Sequence, residues 1–167
     1  MDALEVLFTR RSIRKYSNES VTEEDLKTVL EAGMNAPSAN NRQPWHFVVV
    51  EDRAKLNAIM EVHPYSRMLA EAPIAIVVCG DTTISASFWP QDCSAATENI
   101  LLAARALDLG TVWMGVYPGE ERVNDIQALF NLPQHIQPLA IIALGHPAEE
   151  KGRVDRYKAE RVHKNGW

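Results

Sequence analysis

Residues 36–50 read APSANNRQPWHFVVV, a polar segment bounded by two prolines that runs directly into an apolar one. Pro37 and Pro44 fix φ and remove two backbone donors, while the side chains between them carry amide and hydroxyl groups. The segment is therefore a stiff turn that holds polar groups in front of a buried strand. It is interpreted either as a ligand-facing loop or as a helix-to-strand connection whose polar groups satisfy only the local backbone.

A second unusual feature lies near the N-terminus, where residues 10–16 read RRSIRKY. Four cations fall within six residues of a chain whose net charge is −5, and such a concentration of positive charge favours an anionic partner. Arg10 and Arg11 supply guanidinium forks and Ser12 supplies a hydroxyl, which are groups that bind phosphate. The alternative is a solvated basic face or a processing remnant.

Together the two motifs resemble the nitroreductase family of FMN-dependent oxidoreductases. Residues 10–14 are similar to the family's N-terminal phosphate-binding motif, and residues 37–47 are similar to its flavin-ring loop. Residues 92–104, 113–115 and 151–153 fall where the family has its central helix, its flavin-edge strand and its second phosphate clamp. The resemblance extends over nearly the whole chain.

Length and composition predict one domain over residues 1–167, with residues 147–167 as an extended C-terminal arm. No apolar run approaches the roughly 20 residues of a membrane span. The acidic start, residues 1–5, lacks the features of a signal peptide, so we expect a cytoplasmic protein. The acidic balance argues against nucleic acid as a partner. Two cysteines and five histidines show no metal-ligand spacing, so we expect no metal site, and Cys79 and Cys93 are predicted to be buried.

Hydrophobic periodicity predicts alternating helices and strands, with strands near residues 46–51, 74–79, 111–116 and 139–144. Thr22 is a candidate N-cap for a helix that ends in the polar turn. The longest helix is expected at about residues 90–109, with Gly110 as a left-handed stop. Apolar side chains lie on more than one of its faces, so we expect burial nearly all round, at the domain centre or against another subunit.

The resemblance implies an α+β fold, a three-layer α-β-α sandwich with a central mixed sheet flanked by helices. It also implies a homodimer in which the C-terminal arm is exchanged and FMN lies at the subunit interface. The phosphate is then held by Arg10, Ser12, Lys151 and Arg153. Arg14 lies near N1 and O2 of the flavin ring, where a fixed cation stabilises reduced flavin. As alternatives, Arg14 is a surface arginine, and the two C-terminal cations are solvated charges on the tail.

The remaining implied contacts are at the flavin ring. Arg11 is placed near the ribityl chain or the ring edge, and Met114 and Gly115 line that edge with a backbone N–H towards N5. The second subunit contributes the loop residues Pro37, Ser38, Ala39, Asn41 and Gln43. Trp45 and Phe47 are predicted to fill the core.

The implied activity is hydride transfer from NADH or NADPH to flavin N5, followed by reduction of a nitroaromatic, quinone or similar small acceptor in a ping-pong cycle. No side chain is assigned as a catalytic acid, base or nucleophile. Larger family members cover the pocket with a long excursion before the central helix. Here only residues 81–89 intervene, so an open pocket is expected.

Three other functions stay open. The first is different FMN chemistry on the same fold, such as a flavin-consuming or dehalogenating reaction. The second is a flavin-binding redox sensor without turnover. The third is a basic interaction module that binds no cofactor.

Overall fold

Four antiparallel strands form one sheet with helices on both faces in the computed structural model, which describes residues 1–167. The strands lie in the order β1-β2-β4-β3. The elements in chain order are α1 (Ala3–Thr9), α2 (Glu23–Met34), β1 (Trp45–Val50), α3 (Arg53–Val62), β2 (Ile74–Asp81), α4 (Trp89–Ala106), β3 (Gly110–Gly115), α5 (Glu120–Phe130) and β4 (Ile136–Gly145). Short 3₁₀ turns occupy Ala39–Asn41, Arg67–Ala70 and Ala159–Arg161.

The sheet separates two apolar clusters, which confirms the predicted α-β-α sandwich. Helices α2 and α4 cover one face with Val29 and Ile100, while α3 and α5 cover the other with Leu56 and Ile126. Every residue of the central strand β2 is buried, as its continuous apolar run predicts. Each fully buried Leu or Ile side chain contributes about 1.5–3 kcal/mol, so burial of these two clusters stabilises the fold.

The sheet differs from the expected mixed type because all its strand pairs are antiparallel. Parallel pairing is confined to one bridge at the free edge of β3, between Ser12 and Thr111, where the Ile13 N–H donates to the Thr111 carbonyl at 2.9 Å. The segment then turns away, because Tyr16 pairs with Pro147 instead. One bridge is too short to make residues 10–16 a strand of the sheet.

Of the two helix ends predicted from the sequence, the start of α2 is confirmed and the end of α4 is not. The Thr22 side chain accepts a hydrogen bond from the Asp25 N–H at 3.0 Å, as predicted. The left-handed residue after α4 is Asp108, with φ of 59°, so the assignment of that role to Gly110 was wrong. Gly110 begins β3, and a Cβ there would lie 2.8 Å from Cγ2 of Ile13. Packing against Ile13 therefore requires a glycine at position 110, whereas its backbone conformation does not.

The outer side of α4 is only partly covered within one chain. Ile100 and Ala104 are fully buried, whereas Leu102 is half-buried and Ala106 is exposed. The expected burial all round is therefore not reached in the single chain. Helix α1 packs beside α4 and leaves three large apolar side chains exposed, Leu4, Leu7 and Phe8. Contact of α4 with a second subunit stays a prediction.

The first residues after β4 lie beside the basic segment, and the residues beyond them are exposed. The Ala148 N–H donates to the Lys15 carbonyl at 2.9 Å, and residues 152–167 are exposed. Trp167 is fully exposed and stacks on His163 with ring centroids 4.4 Å apart. The division into a domain and an exchanged arm stays a prediction. None of the helices is both long enough and apolar enough for a membrane span.

Both cysteines are buried, as predicted, and they are not joined by a disulfide. Burial raises the pKa of Cys79 and of Cys93 to about 12. The thiols are therefore protonated and unreactive at neutral pH, because the thiolate is the nucleophilic form.

Candidate functional site

The free edge of β3 brings outward-facing backbone groups to the surface. The Thr111 carbonyl faces away from β4, since it accepts from Ile13. Residues two apart on a strand face the same way in an antiparallel ladder, so Trp113 and Gly115 also direct their N–H and C=O groups outward. A hydrogen-bond distance of 3.0 Å between His63 Nε2 and the Gly115 oxygen agrees with this orientation.

A cavity of about 440 Å³ opens beside this edge. Arg14 and Arg67 line it together with Tyr65, Met114 and Gly115. No heavy atom lies within 4 Å of the Cβ position of Gly115, so the space in front of that residue is open. Neither guanidinium forms an ion pair with a carboxylate of the chain. The cavity thus presents two available cations and a free backbone N–H to a planar polar ligand.

A second cavity, of about 380 Å³, lies towards the other end of β3, and its lining includes the carboxylates of Asp108, Glu149 and Glu150 as well as four cations. Arg10, Arg11, Arg105 and Lys151 line it. Helix α1 delivers Arg10 because that residue is its C-cap. Arg11 donates from one guanidinium nitrogen to the Gly152 carbonyl at 2.6 Å, so its remaining N–H groups are available to an anion.

Ser12 and Arg153 adjoin this cavity without lining it. Lys151 Nζ donates to the Ser12 carbonyl at 2.6 Å. Arg153 lines a neighbouring cavity of about 340 Å³ that shares Arg10 and Arg11, and its guanidinium lies 4.5 Å from the centre of the Phe8 ring. The basic residues predicted to hold a phosphate are therefore adjacent in the folded chain.

Glu149 joins the basic segment to the C-terminal residues. Its carboxylate accepts from the Arg14 N–H at 2.6 Å and forms an ion pair with Lys151 at 3.0 Å. The hydrogen bond from the Arg14 backbone lowers the pKa of Glu149 below its ordinary value, and Lys151 adds to the effect. Glu149 is therefore ionised at neutral pH and holds Lys151 at the rim of the cavity.

The Glu149 contacts predict a pH dependence of stability. A carboxylate whose pKa is lowered by folding stabilises the folded state above its unfolded pKa, and this contribution is lost as pH falls through the folded pKa. Between about pH 5 and pH 3 the wild type should lose more free energy of unfolding than Glu149→Gln does. Urea denaturation across this range measures the difference. Glu61→Gln, at an exposed position, should follow the wild type, and equal slopes for all three proteins would contradict the prediction.

The polar turn between Pro37 and Pro44 has a strained backbone. Asn40, Asn41 and Gln43 have φ of 53°, 53° and 50°, a conformation that costs non-glycine residues about 1–3 kcal/mol, less for Asn. Ser38 Oγ accepts from the Gln43 N–H at 3.0 Å, and Gln43 Nε2 donates to Asn41 Oδ1 at 2.9 Å. These bonds lie within the turn and hold its exposed polar groups in one arrangement, and the role of the turn as a ligand-facing loop stays a prediction.

Asp92 holds this turn against α4. Its side chain is only 5% exposed, and Oδ1 accepts from the Ala39 N–H at 2.8 Å while Oδ2 accepts from the Ser85 hydroxyl at 3.2 Å. A buried carboxylate with two donors is a strong anchor, because its charge is compensated by hydrogen bonds.

Replacing Asp92 by Ala should loosen the turn. The Ala39 N–H and the Ser85 hydroxyl then lose their acceptor, which is expected to cost about 1–3 kcal/mol of folding free energy. Chemical denaturation measures this loss, and hydrogen exchange at the Ala39 amide reports the turn itself. Asp92→Asn is the matched control because it keeps the shape and one acceptor. Slow exchange at Ala39 in the Ala variant would show that Asp92 does not anchor the turn.

The two predicted halves of the site lie on opposite edges of the sheet. The turn precedes β1, whereas the basic residues and Gly115 lie along β3, and three strand spacings of about 4.8 Å separate these edges by roughly 14 Å. None of Pro37, Ser38, Ala39, Asn41 and Gln43 lines the three cavities described above. A single chain therefore does not bring the halves together, and completion of the pocket by a second subunit stays a prediction.

Four residues at these sites were not found from the sequence. Arg67 follows a short segment with no distinctive motif, and Arg105 reads as an ordinary charge near the end of α4. His63 is an isolated histidine, and Asp92 is one carboxylate in the first turn of a helix. Each acquires its role only through neighbours far away in the sequence.

The sequence and the fold of this chain are similar to those of known proteins. The Nitroreductase family model matches residues 7–63 and 60–146. A relative from Methanothermobacter thermautotrophicus, named "Putative NADH dehydrogenase/NAD(P)H nitroreductase", is 50% identical over 100% of this chain and 88% of its own length. A crystal structure of a protein with the same name from Parabacteroides distasonis has 43% identity and a TM-score of 0.97, covering 99% of this chain and 98% of that one.

A third similar protein was solved with a ligand. It is described as a "putative nitroreductase in complex with fmn" from Desulfovibrio desulfuricans, with 33% identity and a TM-score of 0.86, covering 100% of this chain and 98% of that one. Fold and sequence thus define the class, an α+β protein with a basic site along one sheet edge. The chain belongs to the nitroreductase family.

Proposed function

We propose that this protein is an NAD(P)H-dependent flavin oxidoreductase that binds FMN and reduces a small oxidised acceptor, such as a nitroaromatic or a quinone. The observation that carries the proposal is the alignment of three features along β3. These are the cation cavity at Arg10 and Arg11, the available Arg14 and Arg67 guanidinium groups, and the open Gly115 N–H. Relatives named nitroreductases and FMN reductases support it.

The residues present suit FMN part by part. Arg10, Arg11, Lys151 and Arg153 provide cations for the phosphate, and Ser12 provides a hydroxyl. Arg14 and Arg67 lie where positive charge favours an anionic ring. Met114 and Gly115 line the cavity beside the β3 edge, where the Gly115 N–H is available to the flavin ring. When bound, FMN supplies the hydride chemistry, and this chain's residues bind it, orient it and tune its charge.

No side chain at the site is assigned a proton-transfer role. The cationic side chains are guanidinium groups and one lysine ammonium, and they act by binding and electrostatics. The acceptor and NAD(P)H are expected to bind in turn at the same exposed face of the flavin, as a ping-pong cycle requires. The short Asp81–Trp89 connection leaves the site without a long covering segment, so the choice of acceptor is expected to be broad.

The proposed active form is a homodimer. Within one chain the turn that carries Ser38, Asn41 and Gln43 is remote from the β3 edge, although its strained backbone and exposed polar groups suit a ligand contact. A partner subunit that places this turn over the open Gly115 edge completes the pocket. The partly covered side of α4, the exposed apolar residues of α1 and the extended C-terminal arm support such pairing.

Flavin uptake is the decisive test. Purified protein incubated with FMN should retain the flavin through gel filtration and elute as a dimer. NADH or NADPH should bleach the bound flavin, and a nitroaromatic or quinone should restore the colour repeatedly. Protein that retains no flavin contradicts the proposal. A single bleaching without steady turnover, across a panel of acceptors, would identify a redox sensor in place of an enzyme.

A further inference from the structure

His63 is a buried histidine whose two ring nitrogens both have partners. It follows α3 and is 1% exposed. Nδ1 lies 3.3 Å from the Tyr65 amide nitrogen, and Nε2 lies 3.0 Å from the Gly115 carbonyl oxygen. Because an amide N–H can only donate, Nδ1 accepts and the proton is on Nε2. The imidazole therefore donates one hydrogen bond to the last residue of β3.

This bond completes a clamp on one peptide group. The peptide that joins Gly115 to Val116 has its oxygen held by His63, while its N–H donates to the Leu139 carbonyl at 3.0 Å. The two contacts come from opposite sides, one from outside the sheet and one from β4. A peptide group held at both ends cannot rotate without breaking one of the two bonds.

Gly115 needs such a restraint more than other residues of β3. It is the terminal residue of the strand, and no heavy atom lies within 4 Å of its Cβ position, so side-chain packing does not fix it. Glycine also has the widest choice of backbone conformations. Without the His63 bond, the outward direction of the Gly115 N–H depends on ladder pairing alone.

We propose that His63 is a positioning residue, which holds Gly115 so that its N–H points steadily into the cavity beside Arg14. This inference rests on the proposed function, because the ligand of that N–H is taken to be the flavin ring. His63 does not touch the ligand space itself and acts through the Gly115 backbone. A purely structural histidine would support folding but leave ligand binding unchanged.

Three variants of His63 and one control variant separate these roles. His63→Gln keeps a neutral N–H donor at about the reach of Nε2, whereas His63→Leu removes it. His63→Asn carries the same amide on a shorter side chain that falls short of the Gly115 oxygen, so it replaces the Leu variant if that protein does not fold. Ile59→Val, at a fully buried position of α3, the helix that His63 follows, is the control for a general loss of core stability.

The first readout needs no cofactor. Hydrogen exchange at the Val116 amide of the flavin-free protein should be about tenfold faster in His63→Leu or His63→Asn, since one net hydrogen bond is lost. The second readout is the dissociation constant for FMN from flavin fluorescence, which should rise by a similar factor. His63→Gln should stay within about threefold of wild type in both, and Ile59→Val should match wild type in FMN binding.

The outcomes distinguish this inference from the proposed function. If wild type binds FMN and all His63 variants bind it equally well, the positioning role is wrong. If His63→Gln weakens FMN binding as much as His63→Leu does, the shape of the imidazole ring matters and its hydrogen bond does not. That result also overturns the positioning role. If wild type binds no FMN, the proposed function fails. Separately, hydrogen exchange at the Val116 amide that is unchanged in His63→Leu and His63→Asn would reject the clamp.

Discussion

Replacing Arg10 by Ala is expected to weaken FMN binding by roughly 30- to 150-fold, equivalent to about 2–3 kcal/mol. Arg10 lines both cavities of the basic end of the site, and its only ion pair is a loose one, with Nε 3.6 Å from Glu98. Its guanidinium can therefore turn to a phosphate at little cost. Folding stability should change little, because partly exposed ion pairs contribute only about 0–1 kcal/mol. Fluorescence titration measures the affinity, and urea denaturation measures the stability.

Two control variants sharpen this experiment. Arg10→Lys keeps the charge but loses the planar fork, so an intermediate loss is expected. Lys27→Ala removes one positive charge from the outer side of α2, where the side chain is 76% exposed, and should leave FMN binding unchanged. An Arg10→Ala protein that binds FMN as tightly as wild type would place the phosphate elsewhere and remove the main support for the proposed site.

Replacing Gly110 by Ala should damage fold and site together. The new Cβ would lie 2.8 Å from Cγ2 and 3.0 Å from Cβ of Ile13, a buried branched side chain with little room to move. Overpacking of this kind costs about 1–3 kcal/mol of folding free energy. Relief of the clash moves the backbone of Ile13, which lies between Ser12 and Arg14. FMN affinity is therefore expected to fall as well, by about tenfold.

The clash can be isolated with a double-mutant cycle. Ile13→Ala removes both Cγ atoms that oppose the new methyl group, so the double variant should be less destabilised than the sum of the two single variants. Gly152→Ala is the matched control, because a Cβ there meets no atom within 4 Å, and its stability should change by less than about 0.5 kcal/mol. Strict additivity in denaturation experiments would show that Gly110 and Ile13 do not conflict.

Local patterns in the sequence were enough to predict most helices and strands. The apolar run of β2 is continuous because both faces of that strand are covered, and Thr22 begins α2 because its side chain accepts the Asp25 N–H. Such signals depend on residues a few positions apart. The end of α4 was misassigned because Asp108 and Gly110 are both plausible left-handed residues, and only packing against Ile13 distinguishes them.

The chemical character of the site could also be predicted, but its connections could not. The basic segment and the polar turn stand out because each concentrates unusual groups within a few residues. No such signal marks Arg67, His63 or Asp92, because the role of each depends on a residue far away in the sequence. The shortest of these separations is 48 positions, between Arg67 and Gly115. The family resemblance also implied a mixed sheet, whereas Ser12 contributes only one parallel bridge.

The sequence by itself determined the order of helices and strands, the buried centre and the two ligand-type motifs, because periodicity and composition are properties of neighbouring residues. Only the tertiary structure decided which groups share a cavity. Antiparallel pairing turned Gly115 towards Arg14 and His63, and it placed the polar turn on the opposite edge. Such proximity arises from packing between distant segments, which no local pattern encodes.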